Sequence, residues 1–328
     1  MAILVTGGCG FIGSNFIRRW LSMNDEEIIN LDKMTYAADP TINETFKKDS
    51  RYHFYKGDIA DLNDVATVMM GWRPRAVINF AAESHVDNSI ANAYPFVNTN
   101  VFGTFNLLEC VRQTDPTIRF IHVSTDEVYG SLGRYDSPFT EKTPYDPRSP
   151  YSASKAASDH LVSAYHHTHK LQTIITNCSN NYGPWQNPEK LIPVIIRNAL
   201  VDAPIPIYGN GLNIRDWIFV TDHVDALIEI LERGVIGESY NIGGNAEFEN
   251  LQIAKMILTI LNKPHELIKF VEDRKGHDFR YAINNDKVFL DIGWRPRTKF
   301  IDGLEKTVLW YQNHTQWIQS CLNRSKNG

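Results

Sequence analysis

Tyr151 and Lys155 stand four residues apart in "SPYSASKAASDHLVSAYHHTHK" (149–170), a stretch with helical periodicity. Residues at i and i+4 share one helix face, so the ammonium can sit near the phenol. A cation beside a phenol lowers its pKa toward working pH. A phenolate can then take the proton of a hydroxyl while a hydride leaves the same carbon. Upstream, "FIHVSTDEVYG" (120–130) runs from apolar residues into Thr125, Asp126 and Glu127. Two carboxyls thus stand side by side where an apolar run leaves off, and burial with mutual repulsion can keep one of them protonated. Each motif has a plainer reading: Tyr and Lys are common on helices, and an Asp at a strand end is by default a turn residue. A metal reading of Asp126 and Glu127 lacks a His or third carboxylate at supporting spacing, and no metal is expected.

A hydride needs an acceptor. "VTGGCGFIGS" (5–14) places Gly7, Gly10 and Gly13 between an apolar strand pattern and an amphipathic helix pattern. Such glycines let backbone N–H groups and a helix N-terminus approach a pyrophosphate. Asp32 ends the second strand pattern, 19 residues after Gly13. An acid there accepts from both ribose hydroxyls and repels a 2′-phosphate, which favours NAD over NADP. "GDI" (57–59) and "FAAES" (80–84) end the third and fourth strand patterns on the edge where ligands bind in this kind of sheet. The first can hold an adenine ring, with a plain β-turn as the alternative.

These residues need a scaffold that brings strand ends together. "AILVTG" (2–7), "EIINLD" (27–32), "YHFYKGD" (52–58), "AVINFAA" (76–82), "RFIHVS" (119–124) and "QTIITNCS" (172–179) are short and apolar. Continuous apolar runs suit a parallel sheet buried on both faces. "FIGSNFIRRWLS" (11–22) and "NTNVFGTFNLLECVRQ" (98–113) read as helices between them, and 149–170 as a long helix with Ser149 as N-cap and Pro150 in its first turn. The fold class expected is α/β, a Rossmann-type doubly wound parallel sheet over residues 1–182 that includes the catalytic residues. Beyond residue 182, loops rich in Pro, Gly, Asn and Arg alternate with short helices. Residues 183–328 are expected to form a smaller substrate-binding lobe, with some segments returning to the first domain. The tail "CLNRSKNG" (321–328) is expected to fray. His166, His167 and His169 read as a solvated helix end facing the helix dipole. Trp294, Trp310 and Trp317 read as packing.

Bulk properties exclude other classes. The chain has 328 residues, 43% of them hydrophobic, and a net charge of −5 with scattered Lys and Arg. That argues against a nucleic-acid surface, which needs a clustered basic footprint. The four cysteines (Cys9, Cys110, Cys178 and Cys321) fit no zinc or C-x-x-C spacing and read as reduced thiols. The start "MAILVTGG" lacks a basic n-region, and no window reaches the apolar length of a membrane span. A soluble, cytoplasmic protein is expected.

Taken together, "VTGGCGFIGSNF", "LDKMTYA", "FAAESHVDNSI", "TNVFGT", "HVSTDEVYGS", "SPYSASKAASDHL", "NCSNNYGPWQNPEKLIP", "YGNGLNIRDWIFVTDH", "YNIGG" and "DRKGHDFRYAI" resemble the nucleotide-sugar 4,6-dehydratases, which are extended short-chain dehydrogenases/reductases. The resemblance runs from residue 2 to about residue 312. The glycine and Tyr/Lys motifs mark the superfamily, whereas Thr125-Asp126-Glu127 with "SNNYGP" and "DRKGHD" is more specific. The resemblance implies NAD-dependent dehydration of a nucleotide sugar, with dTDP-glucose the expected substrate. Tyr151 would take the C4 hydroxyl proton, Glu127 the C5 proton, and Asp126 would protonate the departing C6 hydroxide. Thr125 would bond the C4 oxygen.

It implies cofactor contacts from Gly7, Gly10, Phe11, Ile12 and Gly13, then from Asp32, Lys33 and Thr35, then Asp58 and Ile59. Phe80, Ala81, Ala82, Glu83, Thr99, Tyr151, Lys155 and Asn181 would complete them. For the substrate it implies Asn180, Lys190 and Leu191 near the diphosphate and Pro206, Ile207 and Tyr208 beside the base. Arg215 would pair a phosphate. Asn250 with Asp273, Arg274 and His277 would close the nucleotide end, and Ser84 and Asn88 would lie near the sugar. A homodimer through 150–169 and 93–112 is also implied.

Three places depart from the family pattern. Cys9 replaces the alanine of "GGAGFIG" and puts a thiol near the pyrophosphate. Asn177 replaces the arginine of "TRCSNNYGP" and removes a cation from the end of the sixth strand. "GGNAEFENL" replaces "GGGNERTNLE", which bears on base recognition. The alternatives are the same reaction on a UDP-sugar, a nucleotide-sugar 4-epimerase, and a catalytically silent NAD-binding regulator. An epimerase has no use for Asp126 and Glu127, and a silent regulator has no need of Tyr151 and Lys155.

Overall fold

The structure, a computed structural model, describes residues 1–274 and 276–327. Its strands in chain order are β1 (Ala2–Thr6), β2 (Glu27–Asp32), β3 (Tyr52–Lys56), β4 (Ala76–Asn79), β5 (Arg119–Thr125) and β6 (Gln172–Cys178). Then follow β7 (Asn180–Tyr182), β8 (Ile205–Tyr208), β9 (Ile214–Phe219), β10 (Ser239–Ile242), β11 (Glu247–Glu249) and β12 (Ile268–Val271). Seven of them form one sheet in the order β10-β6-β5-β4-β1-β2-β3, with every neighbouring pair parallel. The order reverses between β1 and β4, the switch point at which doubly wound folds bind ligands.

Alternation along the strands builds two cores. Ile3, Val5, Ile28, Ile78 and Ile121 face one side, where Phe16, Trp20, Val224 and Leu227 of helices Phe11–Met23 and Val220–Arg233 cover them. Leu4, Ile29, Val77 and Phe120 face the other, under Val65, Met69, Leu107, Val111 and Val162 of helices Leu62–Trp72, Thr104–Thr114 and Pro150–His169. A third core, including Ile192, Ile196, Trp217, Ile257 and Leu304, holds the second lobe around the sheets β11-β9-β7 and β12-β8.

The chain does not pass once from one lobe to the other. Helix Val220–Arg233 and strand β10 come from beyond residue 182 yet complete the first sheet. The tail also differs from expectation. It is helical over Thr315–Asn327, with Ile318 and Cys321 buried one turn apart. The helix expected over 98–113 begins as a π-helical stretch, Val97–Gly103, and becomes α-helical at Thr104–Thr114. That stretch aims Asn100 at Glu83, whose N–H donates to Oδ1 at 2.9 Å, and at Ser154 Oγ, to which Nδ2 donates at 2.8 Å. Trp310 and Trp317 pack with Trp185, and Trp294 lies in the first core. Among the described residues no helix is long and apolar enough to cross a membrane.

The long helix is started by its own sequence. Ser149 accepts from the Ser152 N–H at 3.0 Å, Ser152 Oγ accepts from the Ser149 N–H at 3.0 Å, and Pro150 occupies the first turn. The helix ends at Lys170, which has a left-handed φ of 59°. His166 Nδ1 lies 2.9 Å from the Leu171 carbonyl at that end. Ser149→Ala removes one half of the reciprocal cap and is expected to cost about 1 kcal/mol. The check is a lower urea midpoint with an unchanged slope; an unchanged midpoint would show that the cap carries no stability.

Candidate active site

Parallel strands end on one edge, and that edge opens into a cavity of about 320 Å³. β1 turns into its helix through Gly7, whose φ of 68° is left-handed, and the Gly10 N–H donates to the Gly7 carbonyl at 3.1 Å. A Cβ on Gly13 would sit 2.5 Å from the Gly7 oxygen and 2.9 Å from Gly8 Cα. The helix Phe11–Met23 has no side-chain cap on its first N–H groups, and its opening residues Phe11, Ile12 and Gly13 line the cavity. A cradle that one methyl would fill, next to free helix donors, fits the diphosphate of a dinucleotide.

Asp32 braces this turn. Its Oδ2 accepts from the Cys9 N–H and its Oδ1 from the Met34 N–H, each at 2.8 Å. Burial pushes its carboxyl up, and those two backbone donors oppose the shift. Lys33 pairs with Asp58 at 2.7 Å and ties the exits of β2 and β3 together. Cys9, expected near the pyrophosphate, instead turns inward. It is buried, accepts from Asn30 Nδ2 at 3.3 Å, and does not line the cavity. Burial pushes its thiol up.

The end of β5 explains how two carboxyls come to stand at a sheet edge. The strand passes into a 3-10 turn, Asp126–Tyr129, capped by Thr125 Oγ1, which accepts the Glu127 N–H at 3.3 Å. The turn sends the two acids to different surroundings. Asp126 is 2% exposed, and its Oδ2 has no hydrogen-bond partner among the described residues. Burial raises its pKa well above the ordinary range, with Glu127 and Asp216 adding to the shift. Glu127 is half-buried; burial raises it too, but Arg215 and Lys190 pull it back. One carboxyl is therefore held neutral more strongly than the other.

Tyr151 and Lys155 line the same cavity from the long helix. Lys155 is 3% exposed, and its Nζ donates to the Val123 carbonyl of β5 at 2.9 Å. Burial lowers its pKa, and Asp159 opposes that. Burial raises the Tyr151 phenol well above its usual value, and Glu127 adds to this. Asn177, expected to leave a gap where a cation is lost, donates from Nδ2 to the Thr125 carbonyl at 3.2 Å and so pins the end of β5.

Every residue proposed from sequence for cofactor or catalysis lines this cavity, as do Ser84, Asn180 and Lys190. Lys190 Nζ donates to the Ser84 carbonyl at 2.9 Å. The other substrate residues do not line it. Tyr208, Asp273, Arg274 and His277 gather in a second cluster. Arg274 lies over the Tyr208 ring and donates to Asp87 Oδ2 at 2.9 Å, and His277 Nδ1 meets Asp273 Oδ1 at 2.7 Å. Lys275, within that stretch, lies outside the described residues. Arg215 is buried over the Tyr281 ring, its guanidinium donating to the Ile214, Asp278 and Phe279 carbonyls. Leu191 and Asn250 each open a helix of the second lobe, and Asn88 is exposed with Nδ2 3.4 Å from Tyr36 OH. Ile207 is a correction: it is 1% exposed and packs in the lobe's core. The two-residue period of β8 leaves only its neighbours Pro206 and Tyr208 to present side chains outward.

Sequence reading missed Cys178, Ser179 and Gln186, which also line the cavity. The first two continue β6 past its apolar run, and the strand-end rule applied to β5 would have found them. Gln186 stands in a loop with no such signal; its Nε2 donates to the Asn181 carbonyl at 2.8 Å.

Comparison with known proteins agrees with this geometry. The family model for GDP-mannose 4,6 dehydratase matches residues 4–307. A dTDP-glucose 4,6-dehydratase of Neisseria meningitidis serogroup B is 49% identical, covering 98% of this chain and 96% of that protein. The crystal structure of a dTDP-glucose 4,6-dehydratase from Streptomyces venezuelae with NAD bound superposes with a TM-score of 0.94 at 43% identity, over 98% of this chain and 100% of that one. A Bacillus anthracis dTDP-glucose 4,6-dehydratase in complex with NAD gives 0.92 at 45% identity, over 98% and 99%.

The glycine turn makes its own prediction. Gly13→Ala forces backbone on both sides of the turn to move, and dinucleotide affinity is expected to fall about tenfold or more, about 1.4 kcal/mol. Calorimetric titration measures it; an unchanged affinity would mean that the turn does not contact the ligand.

Proposed function

The chain belongs to the family described as GDP-mannose 4,6 dehydratase, and from that premise we propose that it converts dTDP-D-glucose to dTDP-4-dehydro-6-deoxy-D-glucose with NAD as cofactor. It is a hydro-lyase on a short-chain dehydrogenase/reductase fold, as its similarity to named dehydratases along nearly the whole chain supports. One observation carries the reading. Asp126 and Glu127 open into the cavity that Tyr151 and Lys155 also line, and a 4-epimerase would leave that pair idle.

Gly7, Gly10 and Gly13 with the following helix hold the diphosphate of NAD, and Asp32 holds its ribose. Bound NAD supplies a hydride acceptor that later acts as donor. Tyr151 receives the C4 hydroxyl proton, and Lys155 provides the positive charge that favours the phenolate. Thr125 steadies the C4 oxygen. The C4 ketone acidifies the C5 hydrogen, and Glu127 takes that proton. Asp126, kept neutral by burial, gives its proton to the C6 hydroxyl, which leaves as water. Glu127 then returns a proton to C5 as C6 receives the hydride. Tyr151 releases its proton and Asp126 regains one through solvent, so the net change is loss of one water.

Residues 1–182 mainly serve the cofactor and the reaction. Residues 183–328 mainly serve the nucleotide sugar, with 220–242 built into the first sheet. Lys190 and Arg215 answer the diphosphate, and Asn180, Leu191, Asn250, Tyr208 and the Asp273, Arg274 and His277 group take the remainder of the substrate. The four buried free cysteines suit a reducing cytoplasm. The active species is a homodimer joined through 93–112 and 150–169. Tyr94, Val97, Phe102 and Phe105 support this, forming an exposed apolar stripe at helical spacing.

Incubation with dTDP-glucose is expected to give a product lighter by one water, with no net consumption of NAD, and a lower kcat/KM with UDP-glucose. An epimer of unchanged mass would overturn the reading. Glu127→Gln should lower kcat by about 10²–10⁴-fold, still show transient reduced nicotinamide, and abolish C5 exchange in D₂O. Persistent exchange would remove Glu127 as the base. Sedimentation should find a dimer in the native chain and a monomer in Phe102→Glu; a native monomer would overturn the assembly.

A further inference from the structure

Below the cavity lies a buried acid that the reaction does not use. Asp159 is 1% exposed and sits one helical turn past Lys155 on the same face of the long helix. Three donors converge on its Oδ2: Ser124 Oγ at 2.8 Å, Tyr145 OH at 2.9 Å and Asn177 Nδ2 at 3.3 Å. That arrangement suits a carboxylate. Oδ1 makes no hydrogen bond among the described residues. His122 Nε2 lies between the two charges, 3.4 Å from Asp159 Oδ1 and 3.5 Å from Lys155 Nζ. The imidazole adds no charge of its own, because burial and then Lys155 hold its pKa down at about 4. Asn177, which also donates to Oδ2, is neutral. Among the described residues no lysine or arginine lies within ion-pair distance of Asp159; His122 alone stands between it and Lys155.

We propose that Asp159 is a positioning residue for Lys155: its carboxylate is the counter-charge that keeps the buried ammonium protonated, and Asn177 leaves that charge to Lys155 alone. Asp159 touches none of the reacting atoms and acts through Lys155, so the inference rests on the dehydratase reading. Without a counter-charge, an ammonium at this depth would lose its proton to desolvation. The supporting shifts agree in sign, since burial lowers Lys155 and Asp159 raises it.

Among the described residues no competing cation faces the pair. β5 presents His122 and Ser124, β6 presents Asn177 and Cys178, and the 3-10 turn presents Asp126 and Tyr129. The helix itself adds Tyr151, Ser158 and His160, and the preceding loop adds Tyr145. Burial raises the Cys178 thiol and the Tyr129 and Tyr145 phenols, so these stay neutral. The π-helical stretch contributes the neutral Asn100. Glu109 is turned to Arg112 and Tyr165, and Asp87 to Arg274.

The test is the pH dependence of single-turnover C4 oxidation, read as reduced-nicotinamide absorbance after mixing the NAD-loaded enzyme with dTDP-glucose. This step precedes the work of Asp126 and Glu127. Lys155 must be charged, so the rate falls on the alkaline side as the ammonium deprotonates. Asp159→Asn should move that limb about one unit lower, which makes the rate about tenfold slower at a pH above the limb. Asn177→Arg supplies Asp159 with a competing cation and should move the limb in the same direction. If Asp159→Asn does not fold, as thermal unfolding would show, Asn177→Arg decides. A rate lowered equally at every pH, with the limb in place, would reduce Asp159 to a structural residue. Absence of the absorbance signal in the native enzyme would instead defeat the dehydratase reading.

Discussion

The ammonium of Lys155 lies between β5 and the long helix, almost out of reach of solvent, and much of the site is organised around that buried charge. A buried cation is costly unless paired and hydrogen-bonded. Its bond to the Val123 carbonyl makes the helix and the strand a single unit. The consequences run outward in both directions. One turn back along the helix, Tyr151 is carried to the cavity. Two residues along the strand from Val123, Thr125 falls on the same face, and its hydroxyl caps the turn that carries Asp126 and Glu127. Phenol, hydroxyl and carboxyls are thus placed relative to one another by one ion and one strand.

The second lobe then makes the adjacent carboxyls unlike. Arg215 and Asp216 are neighbours on β9, and alternation sends them to opposite faces. Asp216 is held by the N–H groups of Gly244 and Ala246, so its position is set by backbone. Burial pushes both carboxyls up and Arg215 pulls both down, but Asp126 also feels Glu127 and Asp216 pushing it up, whereas Glu127 has Lys190 as a second cation. An acid and a base arise from two side chains of nearly the same chemistry because burial and Asp216 outweigh Arg215 at Asp126, while Arg215 and Lys190 together offset part of the effect of burial at Glu127.

Much of this was legible in the sequence, for physical reasons that can be named. The strands in the middle of the main sheet are continuous apolar runs bounded by turn residues, and burial on both faces demands that pattern, while the edge strand β3 still carries enough aromatic residues to read as β. The glycine turn, Asp32, the Thr125–Glu127 turn and the Tyr/Lys pair sit at strand or helix ends, where local pattern and position coincide. β10 was not legible: four residues inside a Gly- and Asn-rich stretch carry little periodicity, and their pairing with β6 is a long-range contact. The helical tail was hidden because its polar face dominates its composition, while Ile318 and Cys321 anchor it. Ile207 was misplaced because a family motif names a strand without saying which side faces the core. Asp159 was overlooked because an acid on a helix looks solvated until tertiary packing buries it.

The link between the reacting groups and the opposing charges runs along backbone ladders. Thr125 pairs with Cys178 across β5 and β6, the chain continues from β6 into β7, and Asn180 of β7 pairs with Trp217 of β9. Arg215 and Asp216 precede Trp217 directly on that strand. Register, not loop closure, therefore sets the distance from the carboxyl pair to its two charges. The cluster of Tyr208, Asp273, Arg274 and His277 has no such connection to the sheet edge and reaches the first domain through the side-chain pair of Arg274 and Asp87. Arg274 is nevertheless among the cations that pull Glu127 back, so this cluster also bears on the split between acid and base. The stretch "GGNAEFENL" (243–251) supplies the Gly244 and Ala246 N–H groups that hold Asp216, so it is joined to the charges that face the carboxyl pair.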